Sequence, residues 1–198
     1  MGTPLRLWIR FGNCCLRGTC SMNYFTTVGE NGFECVQFLR EEDLHLMMSL
    51  DGRLLLPGWV PPVVRLCPAD EAAASRHSDF PFFAPWTVII RSSAQSVLAE
   101  MCDCSGEWLP LHSADGATLH ALNVTRVMDA LDTDSSEITY FPGTSRIMFM
   151  KKASFKESVI RGVDVFRLPG VASDVYVSEN FVQAVKTAKL SGIRFRSA

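Results

Sequence analysis

Apolar and polar positions alternate along several short stretches of this chain and follow a helical period in only a few. Tyr24–Val28 and Phe33–Leu39 both read as strands rich in aromatic and β-branched residues. Between them stands Gly29-Glu30-Asn31-Gly32, and Asn-Gly tolerates the positive φ of tight turns, so the pattern predicts a β-hairpin. Glu41–Leu50 reads either as a helix or as a loop with a short strand, and Asp51-Gly52 closes it ahead of the apolar run Leu54-Leu55-Leu56. From Pro57 to Pro85, six prolines remove backbone donors and disfavour helix, which predicts a mostly irregular segment.

Trp86–Ile90 reads as a strand. Ser92 or Ser93 can then cap a helix running to about Met101, with Val97, Leu98 and Met101 on one face. Trp108–Leu111 and Thr118–Asn123 flank the turn Ala114-Asp115-Gly116, and Val124–Leu131 can extend the second of them. Ile138–Phe141, Arg146–Lys151 and Val163–Leu168 are further strand candidates, with Pro142-Gly143 turning between the first two. The closing unit has the clearest signals. Tyr176-Val177 is extended, Ser178 is an N-cap, Glu179 complements the helix dipole, and Phe181, Val182, Val185 and Ala188 form an apolar stripe. Lys186 and Lys189 fall in the last turn, Gly192 is placed for a C-terminal cap, and Ile193-Arg194-Phe195 alternates as a final strand. These elements give an α+β class: a mixed, mostly antiparallel sheet with about three helices and a C-terminal strand–helix–strand unit.

Composition narrows the class further. At 198 residues and 47% apolar content the chain supports one domain with a sizeable core, and no run approaches the roughly 20 apolar residues of a membrane-spanning helix. Residues 1–21 stand apart, with Arg6, Arg10 and Arg17, no acidic residue, and Cys14, Cys15 and Cys20 among the seven cysteines. Met22 then opens the first strand pattern, so 1–21 reads as a non-native or disordered extension, with a basic binding arm as the other reading. Residues 22–198 read as the single working domain, with halves at 22–91 and 92–198. That domain keeps all 21 acids of the chain but loses three of its 19 cations, so its formal charge falls from −2 to −5. This balance disfavours nucleic-acid binding, which needs clustered Lys and Arg. An odd number of irregularly spaced cysteines without a signal peptide implies reduced thiols and a cytoplasmic setting.

Candidate chemistry is sparse. No glycine-rich phosphate loop and no G-x-S-x-G elbow occurs, and His45, His77, His112 and His120 lack a signature context. Cys102-Asp103-Cys104 with His112 and His120 downstream is the only zinc-like grouping, and no second ligand pair completes it. A small hydrolase or metal-dependent enzyme using these Cys and His groups is the alternative reading. Cys35 and Cys67 read as small buried hydrophobes. The acidic run Asp129, Asp132, Asp134 and Glu137 reads as a solvated capping loop, a divalent-cation site, or a negative surface that mimics nucleic acid towards a basic partner. Among Trp59, Phe80, Phe82, Phe83 and Trp86, packing is favoured over recognition for any single ring.

Four pieces fall in a distinctive order: Leu122-Asn123-Val124 running into Val127–Asp132, then Val165–Pro169, then Val175–Phe181, then Leu190–Phe195. Across residues 119–195 this order resembles the eleventh of the immunity-protein families of bacterial polymorphic toxin systems, once a domain of unknown function. The resemblance implies a cytoplasmic, non-enzymatic protein encoded beside a secreted toxin, such as one delivered by a contact-dependent or type VI route in interbacterial competition. Such a protein binds the cognate toxin domain and blocks it, with no catalytic residue, cofactor or metal, and with neither nucleic acid nor membrane as partner. The expected contact surface is Asp129, Asp132, Asp134 and Glu137, followed by Phe82, Phe83 and Trp86.

Overall fold

The computed structural model describes residues 23–48, 50–68, 75–169 and 174–198; the extension expected at 1–21 lies outside them. Strand β1 (Tyr24–Gly29) is followed by β2 (Glu34–Phe38), helix α1 (Glu41–Met48), β3 (Val63–Pro68), β4 (Val88–Arg91) and α2 (Ser92–Met101). Then come β5 (Gly106–Ser113), β6 (Thr118–Val124), β7 (Glu137–Tyr140), β8 (Ile147–Lys152), α3 (Glu157–Ile160), β9 (Val165–Phe166), β10 (Tyr176–Ser178), α4 (Glu179–Thr187) and β11 (Ile193–Ser197). The α+β class and the strand–helix–strand end are as the sequence predicts. Among the described residues no helix is long and apolar enough to cross a membrane.

The strands form three sheets. One has four antiparallel strands in the order β11-β1-β10-β9, and one has five in the order β2-β3-β5-β6-β4, with β3–β5 its parallel pair. The third is an isolated ribbon, β7-β8. The period-two alternation of the five-stranded sheet explains its layering. Val88, Ile90, Leu122 and Val124 turn to one face, where α2 and α4 pack between this sheet and Val165 and Val177 of the four-stranded one. Ile89, Leu109, Leu111, Leu119 and Ala121 turn to the other face, where Met47 and Leu50 close the second core. The far face of the four-stranded sheet carries a third cluster, Tyr24, Phe166 and Tyr176, against Ala130, Ile160 and Val163.

Several expectations are corrected. Gly29–Gly32 does turn, with Gly32 at φ 78°, but the flanking strands do not form a hairpin. β1 instead pairs with β10 and β11, and β2 pairs with β3. The described residues between Pro57 and Pro85 are mostly irregular, as the prolines predict, with β3 running among them; Pro62 precedes the strand and Pro68 ends it, where a missing N–H is tolerated. Helix α2 buries Ala94 and Leu98, whereas Val97 and Met101 stay exposed. Its N-cap is Arg91, without a side-chain cap, and neither Ser92 nor Ser93 plays that part. Val124 ends β6, so the strand does not continue towards Leu131. Gly192 does not cap α4: the helix ends at Thr187, and Lys189 takes the left-handed position at φ 55°. Gly192, at φ 90°, lies where any Cβ would collide with the side chain of Ser78.

Buried polar groups join the halves of the chain. Asn123 donates through Nδ2 to the Arg53 carbonyl at 2.7 Å and to Glu107 Oε2 at 3.0 Å, and Glu107 in turn accepts from the Leu55 and Leu56 amides. The buried Arg167 guanidinium donates to the Leu50 carbonyl, while its backbone pairs with Arg126 and Met128. Both groups hold the loop after α1 to the C-terminal half.

Candidate functional site

The isolated ribbon carries a run of exposed apolar side chains. Its strands pair only with each other, with irregular register at Glu137/Ile138 and Thr139/Tyr140. Between them Pro142-Gly143 turns, with Gly143 at φ 70°. Ile147-Met148-Phe149-Met150 is apolar at both parities, like Val88-Ile89-Ile90 of β4, but β4 is buried on both faces between two cores. Met150 packs on the third core, while Phe149 is 60% exposed and Met148, skipped where the register shifts between Thr139 and Tyr140, is 52% exposed. Tyr140 and Phe141, each 42% exposed, extend the patch to the ribbon tip, where the Arg146 guanidinium lies 5.4 Å from the Phe141 ring.

Under the ribbon runs a cleft of about 510 Å³. One wall is β8 from Ile147 to Lys151, and the floor includes the row Arg196, Thr26 and Tyr176, which are direct neighbours across β11, β1 and β10. Asp174 also lines it; burial pushes its carboxyl above the usual range, and the charge of Arg196 partly offsets this. The Tyr176 hydroxyl is likewise pushed up, first by burial and then by Asp174. The cleft thus combines apolar walls with the Asp174 carboxyl and the cations of Arg196 and Lys151.

The predicted acidic residues form the base of the same ribbon. Asp129 is exposed and 4.0 Å from Lys156. Asp132 accepts from the Asp134 amide at 3.2 Å and sits below the usual carboxylate range, chiefly through a hydrogen bond from Ser135. Glu137 accepts from Lys151 Nζ at 2.9 Å, and that bond and charge hold its carboxyl low. Three of the four carboxylates therefore have an internal cation or donor, and Asp134 is exposed without a side-chain hydrogen bond or ion pair to any described residue. Among the described residues no group of three or more His, Cys, Asp or Glu is placed to hold a metal ion.

The predicted aromatic residues lie elsewhere. Phe82 covers Gly29 and bridges to Cys35, while Phe83 packs edge-to-face between Phe38, at 4.8 Å, and Trp86, at 6.3 Å. All three are half-buried. Phe83 also lines a second groove of about 430 Å³ with Phe38, Leu39 and Leu44. The structure does not bring the acidic and aromatic sets into one site: Phe83 packs on the second core, whereas the acidic residues flank Ala130 and Leu131 at the third.

The enzyme-like groups are modest. Cys102 and Cys104 touch at 3.4 Å and pack on the central core, and their bond and burial push the Cys104 thiol up strongly. Ser92 Oγ is 3.3 Å from His120 Nδ1, and burial lowers the His120 pKa, but neither residue lines either cleft. Cys35 and Cys67, expected as buried hydrophobes, are instead half-exposed and in contact. The ribbon surface was missed in the sequence; its one signal was the unbroken apolar run at 147–150, which alternation cannot bury.

The fold and this surface define a layered α+β protein with an exposed apolar ribbon on an acidic base. Residues 111–198 match the model of the Immunity protein family (Imm11), a little under half of the chain. The match agrees with the resemblance carried by residues 119–195 and suggests a toxin-neutralising role. No curated protein matches the chain.

Proposed function

We propose that this protein is an immunity protein that binds a cognate bacterial toxin domain and blocks it by occlusion, without catalysis and in the cytoplasm. The observation that carries the reading is one of position. The segment similar to the immunity family contains both the ribbon 137–152 and the acidic base 129–137, and the ribbon leaves Tyr140, Phe141, Met148 and Phe149 exposed within it. The aromatic loop at Phe82, Phe83 and Trp86 lies outside that segment and is committed to packing, so it ranks second as a contact surface.

Tyr140, Phe141, Met148 and Phe149 supply the apolar centre of an interface, and Asp132, Asp134 and Glu137 supply part of its polar rim. That anatomy suits a standard interface of about 800 Å² per partner. Aromatic anchors near the centre would carry most of the affinity, and rim charges would chiefly speed encounter.

Co-expression with the toxin encoded beside this gene tests the proposal. Phe149→Ser with Met148→Ser is expected to abolish protection while Tm changes little. The triple variant Asp132→Ala, Asp134→Ala, Glu137→Ala is expected to weaken it. Full protection by both variants would remove this surface from the account.

A further inference from the structure

Cys35 and Cys67 are exact register partners on β2 and β3. Val36, Val64 and Leu66 of these strands face the second core. The alternate positions therefore place Cys35, Gln37, Arg65 and Cys67 on the outer face, where Arg65 donates to Gln37 Oε1 at 2.6 and 2.8 Å. Both thiols are free and half-exposed, and their sulfurs are 3.2 Å apart. Opposed residues of an antiparallel pair have Cα atoms about 4.5–5.5 Å apart, inside the window of about 4.4–6.8 Å that a disulfide spans. Bond formation therefore needs side-chain rotation and no change of strand pairing.

We infer that Cys35 and Cys67 are a reversible dithiol–disulfide pair, an oxidative modification site that fastens β2 to β3 and closes the chain segment carrying α1. The oxidant it requires is a small disulfide of the glutathione class. One cysteine thiolate attacks that disulfide, forming a mixed disulfide and releasing one thiolate. The second cysteine then attacks the cysteine sulfur of the mixed disulfide, closing the Cys35–Cys67 bond and releasing the other. Two electrons pass from the protein sulfurs to the oxidant, and the two cysteine protons end on its two released thiols. Burial, and then the bond and charge of Cys67, push the Cys35 thiol up to about 12, so exchange is slow at neutral pH and quickens with alkalinity.

Cys102–Cys104 is the competing pair, but it is packed on the central core and spans only one intervening residue. The Cys35–Cys67 bond closes a far longer loop, which removes more freedom from the unfolded chain. The inference is independent of toxin binding.

The test is peptide mapping of the full chain after equilibration with oxidised and reduced glutathione at pH 8, with free thiols trapped by N-ethylmaleimide. The expected product is a cross-linked peptide joining Cys35 to Cys67, reversed by dithiothreitol, with Tm higher by about 5–10 °C. Cys35→Ala and Cys67→Ala should each remove both the cross-link and the shift. Trapping of both cysteines as free thiols under oxidant would overturn the inference. So would a stable glutathione adduct on either one, or cross-linking confined to other cysteines.

Discussion

Among the described residues Arg167 is the largest fully buried side chain, and burial lowers the pKa of its guanidinium while the charge of Asp51 opposes that shift. Its donation to the Leu50 carbonyl crosses from the C-terminal half to the end of the first helical unit. Arg167→Ala therefore removes packing and leaves a carbonyl without its donor. The expected cost is about 3 kcal/mol, or a fall in Tm of roughly 6–12 °C by thermal melt. Arg167→Met restores volume but not the donor and should fall between the two. Tyr24 donates its hydroxyl towards the Ile160 and Val163 carbonyls, both at 2.8 Å, so Tyr24→Phe should cost about 1 kcal/mol.

Two carboxyls give opposite pH signatures. At Glu107 burial acts to raise the pKa, but donation from Leu55, Leu56 and Asn123 wins and leaves it lowered. Its contribution is complete above the unfolded pKa near about 4.3 and is lost as pH falls through the lower folded value. Asp174 is raised, so its contribution is present below about 3.9 and is lost as pH climbs through the higher folded value. Urea midpoints measured across pH 3–7, a range set by these reference values, should lose part of their acid-side slope in Glu107→Gln. Asp174→Asn should instead remove a decline on the alkaline side. An unchanged profile in either variant would contradict the assignment of that group.

At the scale of elements, local chemistry was legible and pairing was not. Ser178 caps α4 as its position predicts, accepting from the Phe181 amide at 3.2 Å. Phe181, Val182 and Val185 are buried as the helical period requires. Asp164 adds a constraint the pattern could not show, accepting from Ser178 Oγ at 2.7 Å and from the Asp103 amide at 3.0 Å. Ser178→Ala should therefore cost about 1 kcal/mol as a lost cap, and Asp164→Ala more, because it frees α4 and the α2–β5 connection together. The β1–β2 hairpin failed for a different reason. The turn residues were read correctly, but the partners of β1 lie some 150 to 172 residues further along the chain, beyond what a local alternation can specify. The ribbon was legible as two strands and a turn; its isolation, which makes it a candidate site, depends on every other strand having found partners.

At the scale of the molecule, the segment similar to the immunity family is not a self-contained unit. β1 lies between β10 and β11, so residues 111–198 alone lack the central strand of the four-stranded sheet. They also lack the loop that Asn123 and Arg167 hold through the Arg53 and Leu50 carbonyls. A fragment of residues 111–198 should consequently be insoluble or lack a cooperative melt, and adding residues 22–110 should restore one. The same arrangement explains why the family signature identifies the fold more readily than the interface. Asn123, Phe166, Arg167, Tyr176 and Phe181 are all buried, whereas the ribbon residues proposed for contact fall between the pieces that carry the resemblance.

The central claim is that this protein neutralises a toxin by binding it directly. The most direct test is calorimetric titration of the full chain with the purified toxin domain encoded beside its gene, with toxin activity followed in the same samples. The account predicts a one-to-one complex of nanomolar affinity, loss of toxin activity at equivalence, and at least about tenfold weaker binding by the Met148→Ser, Phe149→Ser variant. Absence of binding, with toxin activity undiminished at excess protein, would contradict it.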